Sequence, residues 1–228
     1  MIFGGLQKLT LLDFPGVVSC IVFTKGCNFL CPYCHNAPLV NKIEESDDLT
    51  DEDILSFLKK RRGILEGVVI TGGEPLLHSE LEDFLRKVKA MGYKVKLDTN
   101  GSLPNRLKSL VSHGLLDYVA MDIKNSLEKY PPTTGIENLK TQDIEASIDF
   151  LLLGTIPYEF RTTVTAELHT TQDIVSVAHR IEGAEKYFLQ NFKDSGNHVS
   201  DGNTPVDAEI LDEMCTIAKK YVKYCEKR

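Results

Sequence analysis

Apolar residues fall along the chain in two alternating patterns. Short continuous apolar runs read as buried strands, and longer stretches with an apolar residue every three or four positions read as one-sided helices. The first run, Val17-Val18-Ser19-Cys20-Ile21-Val22-Phe23, is a buried strand that feeds a loop from Thr24 to Pro38. Asp51 to Arg62 has helical spacing through Ile54, Leu55 and Leu58, with acids early and bases late as the helix dipole favours. Gly67-Val68-Val69-Ile70 is the next strand. Ser79 is placed to cap a helix reaching Met91, with Leu81, Phe84, Leu85 and Val88 on one side.

The same order recurs. Strands are predicted at Lys94–Leu97, Tyr118–Ile123, Tyr158–Val164 and Lys186–Leu189. Helices are predicted at Pro104–Ser112, Thr141–Leu152 and Gln172–Arg180, with a closing helix within 206–226 that carries Cys215 and Cys225. The polar, Gly-containing stretch from Lys193 to Thr204 reads as a mobile loop. Residues 1–16 form a lead-in whose Asp13-Phe14-Pro15-Gly16 suits a β-turn before the first strand. About six strands separated by helices imply parallel pairing with right-handed crossovers. Six units are too few to close an eight-stranded barrel, so the expected fold is α/β: a partial (β/α)6 barrel with outer helices, open on one side. A single domain over 1–228 is expected, with polar residues gathered just after the strands, where such folds build their sites.

Composition narrows the function. The formal net charge of −7 argues against a nucleic-acid backbone as partner, and Lys59–Arg62 and Lys87–Lys89 read as solvated helix faces. No basic stretch followed by an apolar leader opens the chain, and no apolar run approaches the roughly 18 residues of a membrane span. The expected compartment is the cytoplasm, with no membrane partner. Of the six cysteines, three lie within the eight residues Cys27–Cys34. Such crowding suits one metal centre better than disulfides. Cys20, Cys215 and Cys225 read as small buried hydrophobes.

Cysteines spaced three and then two residues apart can wrap three thiolates around one inorganic centre. Zinc is the alternative metal, as part of a non-enzymatic binding module, but structural zinc wants four protein ligands and His35 is the nearest candidate fourth. If His35 stays out of the ligand set, a four-iron cluster keeps one iron open to a substrate.

Cys27-Asn28-Phe29-Leu30-Cys31-Pro32-Tyr33-Cys34 resembles the CxxxCxxC signature of the radical S-adenosylmethionine family, including the aromatic residue before the third cysteine. The resemblance implies one [4Fe-4S] cluster on Cys27, Cys31 and Cys34, with S-adenosylmethionine on the open iron. Its reductive cleavage would give a 5′-deoxyadenosyl radical. Thr71-Gly72-Gly73-Glu74-Pro75 resembles the family's GGE motif, which implies that Gly72, Gly73 and Glu74 bind the methionine amino group, and Tyr33 is implied to lie near the adenine. Read alone, Gly-Gly after a strand is a plain turn and Tyr33 a packing aromatic.

The chain as a whole resembles activating enzymes of glycyl-radical enzymes. Gly5-Leu6-Gln7-Lys8-Leu9-Thr10-Leu11-Leu12-Asp13-Phe14-Pro15-Gly16 is similar to the start of anaerobic ribonucleoside-triphosphate reductase activating proteins. Asp98-Thr99-Asn100-Gly101 and Met121-Asp122-Ile123-Lys124 resemble elements of pyruvate formate-lyase activating enzymes. There they imply a monovalent cation, Na+ or K+, held by Asp98, Thr99, Asp122 and the carbonyl of Ala120. Lys124 and Arg161 are implied to hold the methionine carboxylate or to pair with Asp122, with a structural salt bridge as the plainer reading. Phe192 stands where formate-lyase activators carry a histidine, and Asn191 or Gln190 is a candidate adenine or ribose contact. The implied partners are a large glycyl-radical enzyme, with anaerobic ribonucleotide reductase ranked first and pyruvate formate-lyase as the alternative, and a flavodoxin- or ferredoxin-type electron donor. A radical enzyme acting on a small molecule or peptide would carry the same motifs.

Overall fold

The computed structural model describes residues 1–40, 48–194, 196 and 198–228. Its elements begin with β1 (Ile2–Thr10), β2 (Ser19–Thr24), α1 (Ala37–Val40), β3 (Leu49–Thr50), α2 (Asp51–Lys60), β4 (Gly67–Gly72), α3 (Leu81–Ala90) and β5 (Lys94–Thr99). They continue with α4 (Pro104–Ser112), β6 (Tyr118–Asp122), α5 (Tyr130–Thr134), α6 (Thr141–Leu152), β7 (Tyr158–Val164), α7 (Thr171–Arg180), β8 (Tyr187–Asn191), α8 (Ala208–Ala218) and β9 (Cys225–Lys227). Single 3-10 turns lie at Pro75–Leu77 and Leu127–Lys129. Strand order is β3-β1-β2-β4-β5-β6-β7-β8-β9, an order with two ends, so the sheet is open rather than closed on itself. The expected α/β alternation holds, and the six predicted strands correspond to β2, β4, β5, β6, β7 and β8. Pairing is parallel for β2–β4–β5 and β7–β8–β9, but β1 runs antiparallel to β2 and β3, which makes the sheet mixed.

The chain divides into two compact units. The first comprises 1–28, 38–99 and 105–119. Its sheet buries Phe14, Val17, Ile21, Val69 and Tyr118 in one cluster. On α3, the predicted residues Leu81, Phe84, Leu85 and Val88 are all buried, and Phe84 meets Phe3 with ring centroids 4.9 Å apart. Thr50 and Asp53 form a reciprocal capping box on α2. Two expectations are corrected here. Most of the lead-in is a strand, β1, paired with β2 from Phe3–Thr24 to Thr10–Ser19; Gly4 and Gly5 weaken its strand propensity, and its half-exposed residues lack a buried run. Ser79 does not cap α3: Glu80 is the N-cap with no side-chain bond, and Ser79 Oγ donates to Glu80 Oε2 at 2.8 Å.

The second unit comprises 29–37, 100–104 and 120–228. Thr170 and Asp173 make a second capping box, on α7. The closing helix is shorter than predicted. It ends at Ala218, whose carbonyl accepts from the amides of Tyr221 and Val222, and the chain then leaves to pair β9 with β8. Burial of Val222 and Cys225 against the sheet outweighs the helical spacing. Cys225 is therefore a strand residue, its sulfur 3.6 Å from that of Cys215 and both thiols free.

Candidate functional site

The residues singled out in the sequence lie at strand ends and on the irregular loop after β2. In the first unit, Cys27 is half-buried on that loop, whose Gly26 amide donates to Leu39 O at 2.8 Å. The Gly72-Gly73 turn is fitted to the chain's own backbone. A Cβ on Gly72, at φ +111°, would meet Thr24 N and O at 2.4 Å, and one on Gly73 would meet Gly26 O at 1.9 Å. Gly73 N donates to Thr24 O at 2.9 Å and Glu74 N to Gly26 O at 2.9 Å, so the glycine motif is laced to the cysteine loop. Glycine is thus required by strand-to-loop packing before any ligand is considered. Glu74 is 1% exposed, and its Oε1 accepts from Leu76 N at 3.0 Å and from Thr99 Oγ1 at 2.9 Å. The carboxylate caps the 3-10 turn and ties β5 to it.

Asp98 sits beside a residue that the sequence reading passed over. Lys96 Nζ lies 2.5 Å from Asp98 Oδ1. The one available signal was a lysine on the buried face of a strand, two residues before an aspartate and therefore on the same side.

In the second unit, the loop continues through buried Cys31 and half-buried Cys34. Leu30 N donates to Thr134 O at 2.8 Å and Cys34 N to Cys31 O at 3.0 Å. Tyr33 is buried, its ring edge-on to His169 with centroids 6.1 Å apart, and its Oη has no hydrogen-bond partner among the described residues. Burial, then the Cys31 thiol, pushes the Tyr33 hydroxyl up, which keeps it protonated.

Asp122 is gripped by two cations. Arg161 Nε donates to Oδ1 at 2.8 Å and Lys124 Nζ to Oδ2 at 3.1 Å. Burial raises this carboxyl, but Arg161 and then Lys124 outweigh it and hold it well below the usual carboxylate range. Burial likewise opposes the Lys124 charge, and Asp122, Cys31 and Tyr33 together hold the ammonium well above its ordinary value. Ala120 is buried within β6.

Supports for Lys124 carried no sequence signal. Its amide donates to Tyr130 Oη at 3.1 Å, and His169 Nε2 lies 2.8 Å from its carbonyl. Because Thr165 N donates to His169 Nδ1 at 3.1 Å, the proton on the neutral ring sits on Nε2 and points at Lys124. Burial lowers the His169 pKa and favours that neutral form.

Asn191 closes on the chain itself: its Nδ2 donates to Val206 O at 2.9 Å, and Val206 N donates to its Oδ1 at 3.1 Å. Phe192, in the place of the family histidine, is buried and stacked on His35 at 5.4 Å between centroids, with His198 against both rings. Ser200 N donates to Pro32 O at 3.1 Å. The expected loop after β8 is therefore fastened to the cysteine loop at described points, while Ser195 and Asn197 within it lie outside the described residues. A cavity of about 490 Å³ beside Ile123, Tyr130, Ile148 and Arg180 takes Ile123 of the Met121–Lys124 motif into its described lining and none of the candidate site residues.

Among the described residues, no three His, Cys, Asp or Glu side chains gather around a point as a single metal ion needs. Three cysteines on an irregular loop match the donor chemistry of an iron-sulfur cluster, and the Tyr33 hydroxyl, without a hydrogen-bond partner among the described residues, is suited to a bound group.

A family profile described as the radical SAM superfamily matches residues 21–153, more than half of the chain. The chain belongs to the radical SAM superfamily. A Methanocaldococcus jannaschii protein, provisionally named a glycyl-radical enzyme activating enzyme, is 31% identical to this radical SAM protein over 96% of the chain and 92% of its own length. The pyruvate formate-lyase-activating enzyme of Clostridium pasteurianum is 33% identical over 53% of the chain and 51% of its own length. Among solved structures, Streptococcus suis SuiB bound to S-adenosylmethionine matches with a TM-score of 0.70 at 12% identity, over 91% of this chain and 51% of that one. A domain of a pyruvate-formate lyase-activating enzyme from Bacteroides vulgatus matches with a TM-score of 0.57 at 17% identity, over 71% and 98%. At these identities the structural likeness speaks for the fold alone. The radical SAM chain spans about half the length of the Clostridium enzyme and of SuiB.

Proposed function

We propose that this protein is an activase that removes a Cα hydrogen from one glycine of a partner glycyl-radical enzyme. The observation that carries the reading is the near full-length relation to a protein provisionally named as such an activase, together with the three cysteines on the loop after β2. Cys27, Cys31 and Cys34 are the residues that would hold a [4Fe-4S] cluster, with S-adenosylmethionine on its open iron. When bound, the pair supplies the 5′-deoxyadenosyl radical that takes the glycine hydrogen.

The protein's own residues contribute position and charge. Thr24 and Gly26 hold the Gly72-Gly73 turn against the segment that leads into Cys27, which fixes the backbone groups proposed for the methionine amino group. Lys124 and Arg161 are fixed by Asp122 and present positive charge for a carboxylate. Tyr33 stays a neutral donor in a buried setting, suited to the adenosine side of the ligand. A flavodoxin- or ferredoxin-type protein is the proposed electron donor.

The relatives bear on partner choice. The N-terminal resemblance ranks anaerobic ribonucleotide reductase first, yet two partly aligned relatives with a named substrate enzyme, at 33% and 30% identity, are pyruvate formate-lyase activators. A formate-lyase-type partner is therefore placed ahead.

The test is anaerobic incubation of the reconstituted protein with S-adenosylmethionine, a reductant and each candidate partner. A glycine-centred doublet in electron paramagnetic resonance with a formate-lyase-type enzyme is expected. 5′-Deoxyadenosine formation without that doublet for any glycyl-radical enzyme would favour a small-molecule or peptide substrate instead.

A further inference from the structure

We infer that the Lys96 ammonium takes the place of a monovalent cation at Asp98, so that this protein binds S-adenosylmethionine without sodium or potassium; the inference rests on the activase reading above. The resemblance implied a cation among Asp98, Thr99, Asp122 and the Ala120 carbonyl, and the residues present do not fit one.

The argument begins with strand alternation. In β5, Lys96 and Asp98 are two positions apart and share a face. The register Ile21–Val69–Lys96 places the lysine in a lateral row otherwise made of buried aliphatic residues. Its stem can pack there, but its charge must be matched, because an unpaired buried ammonium is costly. Lys96 is 1% exposed, and Asp98, two residues along, supplies the match at 2.5 Å.

Of the other proposed ligands, Asp122 is engaged through both oxygens and Thr99 through its hydrogen. Thr99 Oγ1 gives its hydrogen to Glu74 at 2.9 Å. Within the second unit, each oxygen of Asp122 takes a cationic nitrogen of the chain, from Arg161 and Lys124. Sodium or potassium binds through several oxygen ligands carrying net negative charge. Here the carboxylates meant to supply that charge are already balanced by side chains that cannot dissociate. An added ion at Asp98 would also sit against a fixed ammonium in a poorly screened setting. Lys96 is thus a positioning residue: it holds Asp98 and supplies the positive charge permanently.

The test compares S-adenosylmethionine affinity of the anaerobically reconstituted protein in sodium, potassium and tetramethylammonium buffers of equal ionic strength. Sodium-23 relaxation is read on the same protein without S-adenosylmethionine. Affinities within about twofold of one another and no sodium broadening are expected. Lys96→Met should lose about tenfold or more in tetramethylammonium and recover with sodium or potassium, whereas Lys96→Arg should stay independent of the ion. The inference is overturned if the unaltered protein gains about tenfold with either ion or broadens the sodium signal. It is equally overturned if folded Lys96→Met binds as the unaltered protein does in tetramethylammonium. Should Lys96→Met fail to fold, the measurements on the unaltered protein decide. Absence of S-adenosylmethionine binding in every buffer would count against the activase reading, and the sodium measurement would still decide the role of Lys96.

Discussion

A hydrogen atom on Gly73 is all that separates the motif turn from the carbonyl of Gly26, and a methyl group there would sit 1.9 Å from that oxygen. The atoms it would meet are all backbone of Gly26 rather than a flexible side chain, so the strain cannot be relieved locally. Gly73→Ala is expected to cost about 2–3 kcal/mol, read as a lower thermal midpoint, and an unchanged midpoint would refute the close packing. Asp122 makes a pH prediction. Its folded-state pKa lies below the unfolded value, so its stabilisation is fully present above about pH 4 and is lost as pH falls toward the folded value. Removing one member of this partly buried trio by Asp122→Asn should cost about 2 kcal/mol near neutrality. In urea titrations of the apo-protein, the gap between variant and unaltered protein should narrow below about pH 4; a gap that stays constant down to about pH 2 would refute the assignment.

Helix starts show how local chemistry ties into the fold. Thr170 and Asp173 satisfy each other's backbone amides at the start of α7, and Asp173 also accepts from Lys129 Nζ at 2.6 Å and Ser126 Oγ at 3.1 Å. The hydroxyl serves the cap, whereas the carboxylate also anchors the segment that follows β6. Thr170→Ala should therefore cost about 1 kcal/mol and Thr170→Ser little, while Asp173→Ala should cost clearly more. Equal losses in thermal denaturation would show that the carboxylate acts only as a cap. The closing helix carries the opposite lesson. Its spacing extends past Ala218, but pairing of β9 with β8 and burial of Cys225 end it there.

For the molecule as a whole, the open α/β order and superfamily membership bear on metal content. Anaerobically purified protein should carry about four irons with matching sulfide. Cys27→Ala, Cys31→Ala and Cys34→Ala should each lose the cluster absorbance and 5′-deoxyadenosine formation, whereas Cys20→Ala, altering a fully buried strand residue, should retain both. One zinc and no iron would defeat the radical reading. No helix among the described residues is long and apolar enough to cross a membrane.

Much of this was legible along the chain, because it depends on neighbours in sequence. The apolar runs of β2, β4 and β6, the spacing of α3 and α6, and the crowding of Cys27, Cys31 and Cys34 are local patterns, and burial and thiol chemistry act on them directly. Other features depend on partners distant in sequence. β1 acquires strand form by pairing with β2, Cys225 leaves the helix for β8, and His169 reaches the carbonyl of Lys124 from another segment. Tertiary structure also decided what the glycines serve and that Lys96 belongs to Asp98. The alternation of strands and helices is a property of sequence periodicity, whereas the matching of a buried charge depends on which groups folding brings within bonding distance.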